Sequence, residues 1–405
     1  MIGVKLPKHK KMSLKEVKTY LDPKSVFFSC EKDELLIKNN QEVKEGETIA
    51  RRKKFDLPVI ASVSGKAKIT TKDNIANIEI INNHEKKEYL EDIPYDYTYT
   101  KTELIHFMKE AGIVGMGGAG FPTYLKYDTN KKIKTLIING VECEPYITAD
   151  YRVSLDHAKE IIKTIHWIMK TLSIQECFIA IKVHNPLLKE KLFTIADKYK
   201  KIKVIEVPNL YPMGWEKSLV RYIKHTDYKT IPLEKGIVVN NISTIYAVHN
   251  VLKHHKPLTE RMVTFTGEGM KNPCNVQVKI GTKVSEVIEY LGGVKNDSIY
   301  ISGGPMMGEH KKLEEMIVTP DLNCILIKEG KEHIESICLK CGKCVDNCPA
   351  KLAPVLIHEN QDEEDILKHL HPEKCIECGI CSFICPAKID VREHVKEAKK
   401  KGMKI

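Results

Sequence analysis

Cys338-x2-Cys341-x2-Cys344-x3-Cys348-Pro349 is repeated as Cys375-x2-Cys378-x2-Cys381-x3-Cys385-Pro386. No other feature restricts the fold so narrowly, because cysteines at these spacings must converge on metal. The doubled run is the one that holds two 4Fe–4S clusters, the fourth cysteine of each array ligating the other array's cluster. Cys338, Cys341, Cys344 and Cys385 are therefore expected at one cluster, and Cys375, Cys378, Cys381 and Cys348 at the second. Tetrahedral thiolate sites also bind zinc, but a zinc ribbon has no need of cysteines at i, i+3 and i+6 followed by Cys-Pro, twice over. The other five of the 13 cysteines, Cys30, Cys143, Cys177, Cys274 and Cys324, are scattered. That distribution speaks for metal ligation in a reducing compartment and against disulfides.

A second constrained stretch runs from Gly112 to Pro145. It opens with Gly115, Gly117, Gly118 and Gly120, crosses Phe121-Pro122 to Lys126 and enters the apolar strand Thr135-Leu136-Ile137-Ile138. It leaves that strand through Asn139, Glu142 and Glu144. Closely spaced glycines let backbone N–H groups approach a phosphate or a ring, and Lys126 adds a positive charge. Polar groups just past a strand's carboxyl end are where open α/β sheets bind ligands. The dinucleotide fingerprint needs a strand before its glycines, whereas Glu103 to Lys109 has helical spacing, so an ordinary Rossmann loop does not fit. The reading is a flavin and nicotinamide pocket; a mobile glycine turn is the alternative.

Around these stretches the chain divides into a multidomain α/β and α+β protein. Residues 1–95 read as β-rich, with short runs such as Glu34–Ile37 and Lys66–Ile69 between turn signals. Val43 to Ala50 and Pro58 to Gly65 resemble a lipoyl-type barrel-sandwich module, either a docking domain or a structural cap; Lys66 lacks the flanking methionine of a carrier lysine. Residues 100–255 alternate strands and helices, as an α/β sheet does. A helix is expected from Leu155 to Thr171, and Tyr211-Pro212-Met213-Gly214-Trp215-Glu216 is a loop suited to line the pocket. The strand Ile237–Val239 ends on Asn240 and Asn241, with Ser243 expected to cap the following helix. Side-chain amides there suit a phosphate or a flavin carbonyl. Residues 258–330 form a compact α+β unit in which Ser302 to Pro305 reads as an unreactive turn. Residues 331–392 carry the clusters, with an inserted helix at Asp362–His369. Residues 393–405 are a basic tail, either a solvated end or a docking element.

Composition excludes several classes. No run of 18 apolar residues occurs in the 405, so no span is expected to cross a bilayer. The first 20 residues are lysine-rich without an apolar core and do not read as a signal peptide, which places the protein in the cytoplasm. A net charge of +10 is open to two readings: attraction to acidic partners or anionic lipid, or a merely solvated surface. Nucleic-acid binding would want a basic face interleaved with aromatics, and only 7% of residues are aromatic.

With Gly115-x-Gly-Gly-x-Gly-Phe-Pro-Thr, Asn139 to Pro145, Tyr211-Pro-x-Gly-x-Glu216 and the paired arrays in this order, the chain resembles RnfC, the C subunit of the Rnf complex. That complex is a membrane-bound ferredoxin:NAD oxidoreductase that pumps sodium ions or protons. The middle domain is similar to the flavin and NADH subunit of respiratory complex I, and residues 258–330 to a β-grasp, SLBB-like unit. The resemblance implies FMN near Gly115, Gly117, Gly118, Gly120, Lys126, Asn139, Glu142, Asn240 and Asn241. It implies NAD(H) against Phe121 and Glu144, with Glu216 close by. Met116 stands where the complex I motif has arginine, Val141 where it has aspartate, and Trp215 where a small residue is usual. The implied partners are membrane subunits and ferredoxin, directly or through another subunit, at the cytoplasmic face of the membrane. Nicotinamide moves a hydride, each cluster one electron, and a flavin can do both. Two other readings stay open: a soluble diaphorase subunit feeding a proline- or cobalamin-type reductase, and an iron–sulfur wire with an empty nucleotide site.

Overall fold

The computed structural model describes residues 3–12, 14, 17–183, 185–295, 297–330 and 336–402. Strands β1 (Val17–Tyr20), β2 (Ser25–Glu31), β3 (Glu42–Val43), β4 (Thr48–Arg52), β5 (Leu57–Ile60), β6 (Gly65–Lys72) and β7 (Ile75–Asn82) come first. The antiparallel sheet β2-β7-β6-β3 and the hairpin β4-β5 close over Val26, Ile49, Ala67, Ile78 and Ile80. Strict alternation along β7 sends Ala76, Ile78 and Ile80 into this core, which is how a half-buried strand reads. Glu34–Ile37 is not a strand: Lys32–Glu34 is a 3-10 turn, and only Leu35 bridges to Ala50. The first strand leaves this barrel altogether, adding in parallel to a later one (Val17 beside Asn275).

The middle region holds α1 (Lys101–Glu110), β8 (Thr135–Gly140), α2 (Ala149–Asp156), α3 (Ala158–Thr171), β9 (Glu176–Lys182), α4 (Pro186–Ala196), β10 (Ile202–Val207), α5 (Glu216–Lys224), β11 (Ile237–Asn241) and α6 (Ile242–His254). Thr100 and Glu103 form a capping box that starts α1. The helix expected from Leu155 is two helices, parted at His157. Strand order is β10-β9-β8-β11, all parallel. The chain therefore winds one way from β8 to β10 and then returns to pair β11 with β8. That reversal opens a crevice beyond the carboxyl ends of β8 and β11.

The third unit contains β12 (Glu260–Thr266), β13 (Cys274–Lys279), α7 (Val284–Tyr290), β14 (Ser298–Ser302), β15 (Glu309–His310) and β16 (Cys324–Glu329). Its sheet runs β1-β13-β12-β16-β14-β15, with Val263, Phe265, Val276, Val287 and Ile325 in the core. The cysteine arrays sit among α8 (Lys343–Asp346), α9 (Pro354–Glu359), α10 (Glu364–Leu370), α11 (Ile380–Phe383) and α12 (Val391–Gly402).

The lysine-rich last helix is neither a solvated end nor a free arm. Val391, Val395 and Ala398 enter the core of the cluster domain beside Ile357 and Leu367. Lys399 donates to Glu377 (2.7 Å) and to the Cys375 carbonyl (2.9 Å), and Lys396 pairs with Glu309. Arg392 donates to the carbonyls of Met306 (2.9 Å) and Gly308 (2.8 Å), clamping the cluster domain to the turn after β14. Bonds to a charged donor contribute about 1.5–3 kcal/mol each. Arg392→Met should therefore raise amide exchange across residues 303–308 several-fold while leaving bound iron unchanged; unaltered exchange would show that the clamp does not hold that turn.

Candidate functional site

Asn139 and Asn241 end β8 and β11 as register partners, so the sequence places two amides side by side at the crevice. Their neighbour Asn240 faces the other way, because successive strand residues alternate. It is buried against the Tyr127 hydroxyl inside the domain and does not line the crevice. The crevice holds a cavity of about 570 Å³, bounded by Gly115, Gly117, Lys126, Asn139, Glu142, Glu144, Trp215, Glu216 and Asn241. Its apolar walls are Leu125, Val141, Ile147, Leu233 and Val239. A few polar groups set in apolar walls at this volume suit a ring-bearing small molecule.

The glycine loop folds back on itself. Gly115 N–H donates to the Phe121 carbonyl (2.8 Å), and Gly120 N–H to that of Gly115 (3.1 Å). Gly118, at φ +102°, takes a conformation that side-chain-bearing residues avoid. Gly117 lies close against Asn241, and a Cβ there would sit 3.2 Å from Nδ2. Neither Gly118 nor Gly120 lines the crevice cavity; Gly120 borders a second cavity of about 880 Å³ between the barrel-sandwich sheet and residues 317–321. Phe121 borders both cavities and meets Phe55 edge-on at 5.8 Å.

Charge around the crevice is densely paired. Lys126 donates to the Val239 carbonyl (2.6 Å) and stands 3.9 Å from Glu216, leaving donors unspent. Burial pulls its ammonium pKa down, with Glu216 opposing. Both Glu142 oxygens are engaged within the chain: Oε1 accepts from Asp150 N–H (2.9 Å), and Oε2 lies 3.3 Å from the Lys10 ammonium. Glu144 Oε2 accepts from Met306 N–H (2.9 Å) and Met307 N–H (3.2 Å), while burial pushes its pKa up. The Asn139 amide donates to the Gly214 carbonyl (2.8 Å), holding the Tyr211–Glu216 loop over the cavity.

Asp150, which no sequence pattern singled out, is the buried centre of this network. Its carboxylate accepts from Asn241 Nδ2 (2.7 Å) and from the Ser243 hydroxyl. Ser243 is thus not the helix cap; Asn241 is, accepting from Thr244 N–H (3.1 Å). Asn241 reaches that position because the helix begins one residue after it, leaving Ser243 inside the first turn. Arg261, buried beneath the glycine loop, donates to the Met116 carbonyl (3.3 Å). Lys10 and Arg261 likewise escape sequence reasoning, and only an acidic residue in a helix's first turn hints at Asp150.

The second cysteine array meets the same cavity, whose wall includes Ile376 and Cys378. The Tyr211 hydroxyl donates to the Cys378 carbonyl (2.6 Å). Behind that wall a small void is lined by Cys344, Cys348, Cys375, Cys378 and Cys381. Leu352 N–H points at Cys348 Sγ (3.4 Å) and Glu377 N–H at Cys375 Sγ (3.3 Å). Half-buried sulfurs that receive backbone N–H groups suit thiolates bound to an iron–sulfur cluster. In the first array Cys341 is exposed.

Fold and site together define a flavin- and iron–sulfur-binding electron-transfer protein. Family models match as the RnfC barrel sandwich hybrid domain (residues 1–86), the Nuo51 FMN-binding domain (108–250), the SLBB domain (262–309) and a 4Fe-4S dicluster domain (337–389). The chain is 33% identical over 343 residues to the C subunit of the proton-translocating ferredoxin:NAD(+) oxidoreductase complex of Clostridium ljungdahlii, covering 80% of this chain and 74% of that one. It is 39% identical over 262 residues to the C subunit of the ion-translocating oxidoreductase complex of Rhodobacter capsulatus, covering 62% of this chain but 50% of the relative. The chain belongs to this family, the C subunits of Rnf-type complexes. A crystal structure of an NAD+-reducing NiFe-hydrogenase shares the fold over 69% of this chain and 52% of its own, at 15% identity and a TM-score of 0.50.

Burial and the Glu142 carboxylate push Asp150 up to about 6. A carboxyl raised in the folded state stabilises the fold fully below its unfolded pKa, and that contribution is lost as pH rises through about 6. Asp150→Asn removes this dependence. The variant's stability relative to the parent should therefore improve by on the order of 2 kcal/mol from about pH 4 to about pH 7. Melting curves at both pH values check this, and a difference that does not change with pH would mean that Asp150 has the same pKa folded and unfolded.

Proposed function

We propose that the chain is a peripheral subunit exchanging electrons between NAD(H), FMN and two 4Fe–4S clusters in an ion-translocating ferredoxin:NAD+ oxidoreductase. One observation carries the reading: Cys378 of the second array lines the same cavity as Gly117, Lys126 and Asn241. A flavin in that cavity would be separated from a cluster by little more than the wall at Ile376 and Cys378.

In this reading Gly115, Gly117, Lys126, Asn139, Glu142 and Asn241 surround the flavin. Gly118 and Gly120 shape the turn, and Asn240 braces the strand from behind. Phe121, Glu144 and Glu216 take the nicotinamide nucleotide. Bound FMN supplies the exchange between a hydride's electron pair and single electrons. The chain's own groups bind and orient: the Lys126 ammonium offers charge to an anionic group, and the crevice walls exclude water from the ring. Cys375, Cys378, Cys381 and Cys348 would hold the cluster next to the flavin, and Cys338, Cys341, Cys344 and Cys385 the outer one.

Among the described residues no helix is long and apolar enough to cross a membrane. Attachment to the cytoplasmic face of a membrane complex would then run through other subunits, with ferredoxin as the one-electron partner, directly or through another subunit. Relative potentials set the direction of flow.

Anaerobic reconstitution with iron, sulfide and FMN tests the reading. About eight iron per chain should be retained, with a yellow chromophore that NADH bleaches. Lys126→Met should weaken FMN retention about tenfold, a loss of about 1.4 kcal/mol, with iron content unchanged. Loaded clusters without flavin would leave only an electron wire. Cys344→Ser should disturb the outer cluster's spectrum preferentially, and an equal loss of both would overturn the ligand assignment. Co-purification with hydrophobic membrane subunits separates the membrane complex from a soluble diaphorase.

A further inference from the structure

The two cysteine arrays repeat each other in backbone as well as in spacing. Gly342 and Gly379 hold φ of +73° and +72°, and Lys340 and Glu377 hold +51° and +55°. Each glycine is followed by a single helical turn, Lys343–Asp346 in one case and Ile380–Phe383 in the other. The turns have one shape and opposite surroundings. A Cβ on Gly379 would lie 2.1 Å from the Met306 carbonyl, whereas one on Gly342 would meet nothing within 4 Å. Cys378 and Ile380 are 9% and 1% exposed; Cys341, at the position matching Cys378, is exposed.

The inner turn uses this face to dock on the flavin cavity. Its outer copy keeps an apolar character that nothing in the described chain covers. Leu339, matching Ile376, is 65% exposed, and Ile337 is 88% exposed. What changes is charge: Lys340 replaces Glu377 and Lys343 replaces Ile380. Lys388 joins them at the rim, exposed beside Ala387, whose carbonyl accepts from Ser336 N–H (3.3 Å). Among the described residues Asp346 and Glu359 are the nearby acids, Glu359 standing 3.2 Å from Lys340. The three lysines outnumber these acids; exposed apolar residues with a local excess of one charge mark a protein interface, and the excess steers encounter with an oppositely charged surface.

We propose that the face formed by Ile337, Leu339, Lys340, Cys341 and Lys343 docks a second iron–sulfur protein, a one-electron carrier with acidic side chains around its own cluster. This rests on the functional reading above and names the face through which single electrons are exchanged with a partner. One electron leaves one protein's cluster and enters the other's, with no proton or bond involved.

The test uses the full chain loaded with iron, sulfide and FMN, and a small acidic ferredoxin as probe. Binding is measured directly at low and at physiological salt, alongside anaerobic bleaching by NADH and iron content. The wild type should bind the ferredoxin, and salt should weaken binding about tenfold. Lys340→Glu with Lys343→Glu should cost at least about tenfold in affinity and remove most of the salt dependence. Ile337→Ser with Leu339→Ser should weaken binding at both salt levels alike. Both variants should keep full iron and normal bleaching of the flavin, which shows them folded. Equal binding by wild type and variants overturns the proposal, as does a wild type that ignores ferredoxin but binds anionic vesicles or itself through this face. Normal binding with no bleaching by NADH would instead sink the functional reading and leave the docking face standing.

Discussion

Three units of the chain are held in register by one short backbone segment, the turn at Met306 and Met307. Its N–H groups reach into the crevice and are accepted by Glu144. The Met306 carbonyl points the other way, accepting from Arg392 of the cluster domain, and Gly379 packs against the same carbonyl. A peptide unit carries one donor and one acceptor aimed in opposite directions, so a single turn can couple elements on its two sides. Here the elements are the wall of the crevice and the second cysteine array. Any side chain at position 379 would push them apart, so the glycine's absent Cβ matters as much as any bond.

The crevice depends on charges that stay buried because each has a partner. Glu142 lies between Lys10 and the first turn of α2, and Asp150 between Asn241 and Ser243. Arg261 carries its charge under the glycine loop and spends its donors on the carbonyls of Met116, Met262 and Pro320. Burial pulls its pKa down to about 10, while Asp150 and Asp321 oppose that fall. An unpaired buried charge would be costly, so such a network holds the loop in one arrangement. Met116 belongs to this support: its N–H donates to Thr244 (2.9 Å) and its carbonyl accepts from Arg261. The side chain at 116 is buried, so the position acts on the loop through its backbone.

Much of this is legible in the sequence where a spacing encodes a local geometry. The cysteine arrays, the glycine turn, the amides at the ends of β8 and β11 and most helices follow from periods and turn chemistry. What escapes depends on distant chain segments meeting. Lys10 and Glu142 are 132 residues apart, and Asp150 and Ser243 are 93 apart; no local pattern announces either pair. Ser302–Pro305 reads as a plain turn, and nothing local to it announces that Met306 and Met307, just beyond, reach Glu144. Asn240 is different, since the two-residue period of a strand already implies that it and Asn241 cannot both face one crevice.

Coupling between the crevice and the second cysteine array follows from this construction. The Met306 turn holds the Glu144 carboxylate at the crevice wall, and that turn is clamped by Arg392 from the cluster domain. Seating the cluster domain therefore preorganises the crevice. By thermodynamic reciprocity, a ligand that fills the crevice must favour the docked cluster domain to the same degree. The outer array has no such tie: a Cβ at Gly342 would face open space where Gly379 meets Met306. The same backbone motif thus serves twice, once welded into the chain beside the crevice and once presented outward, and the side chains between the cysteines make the difference.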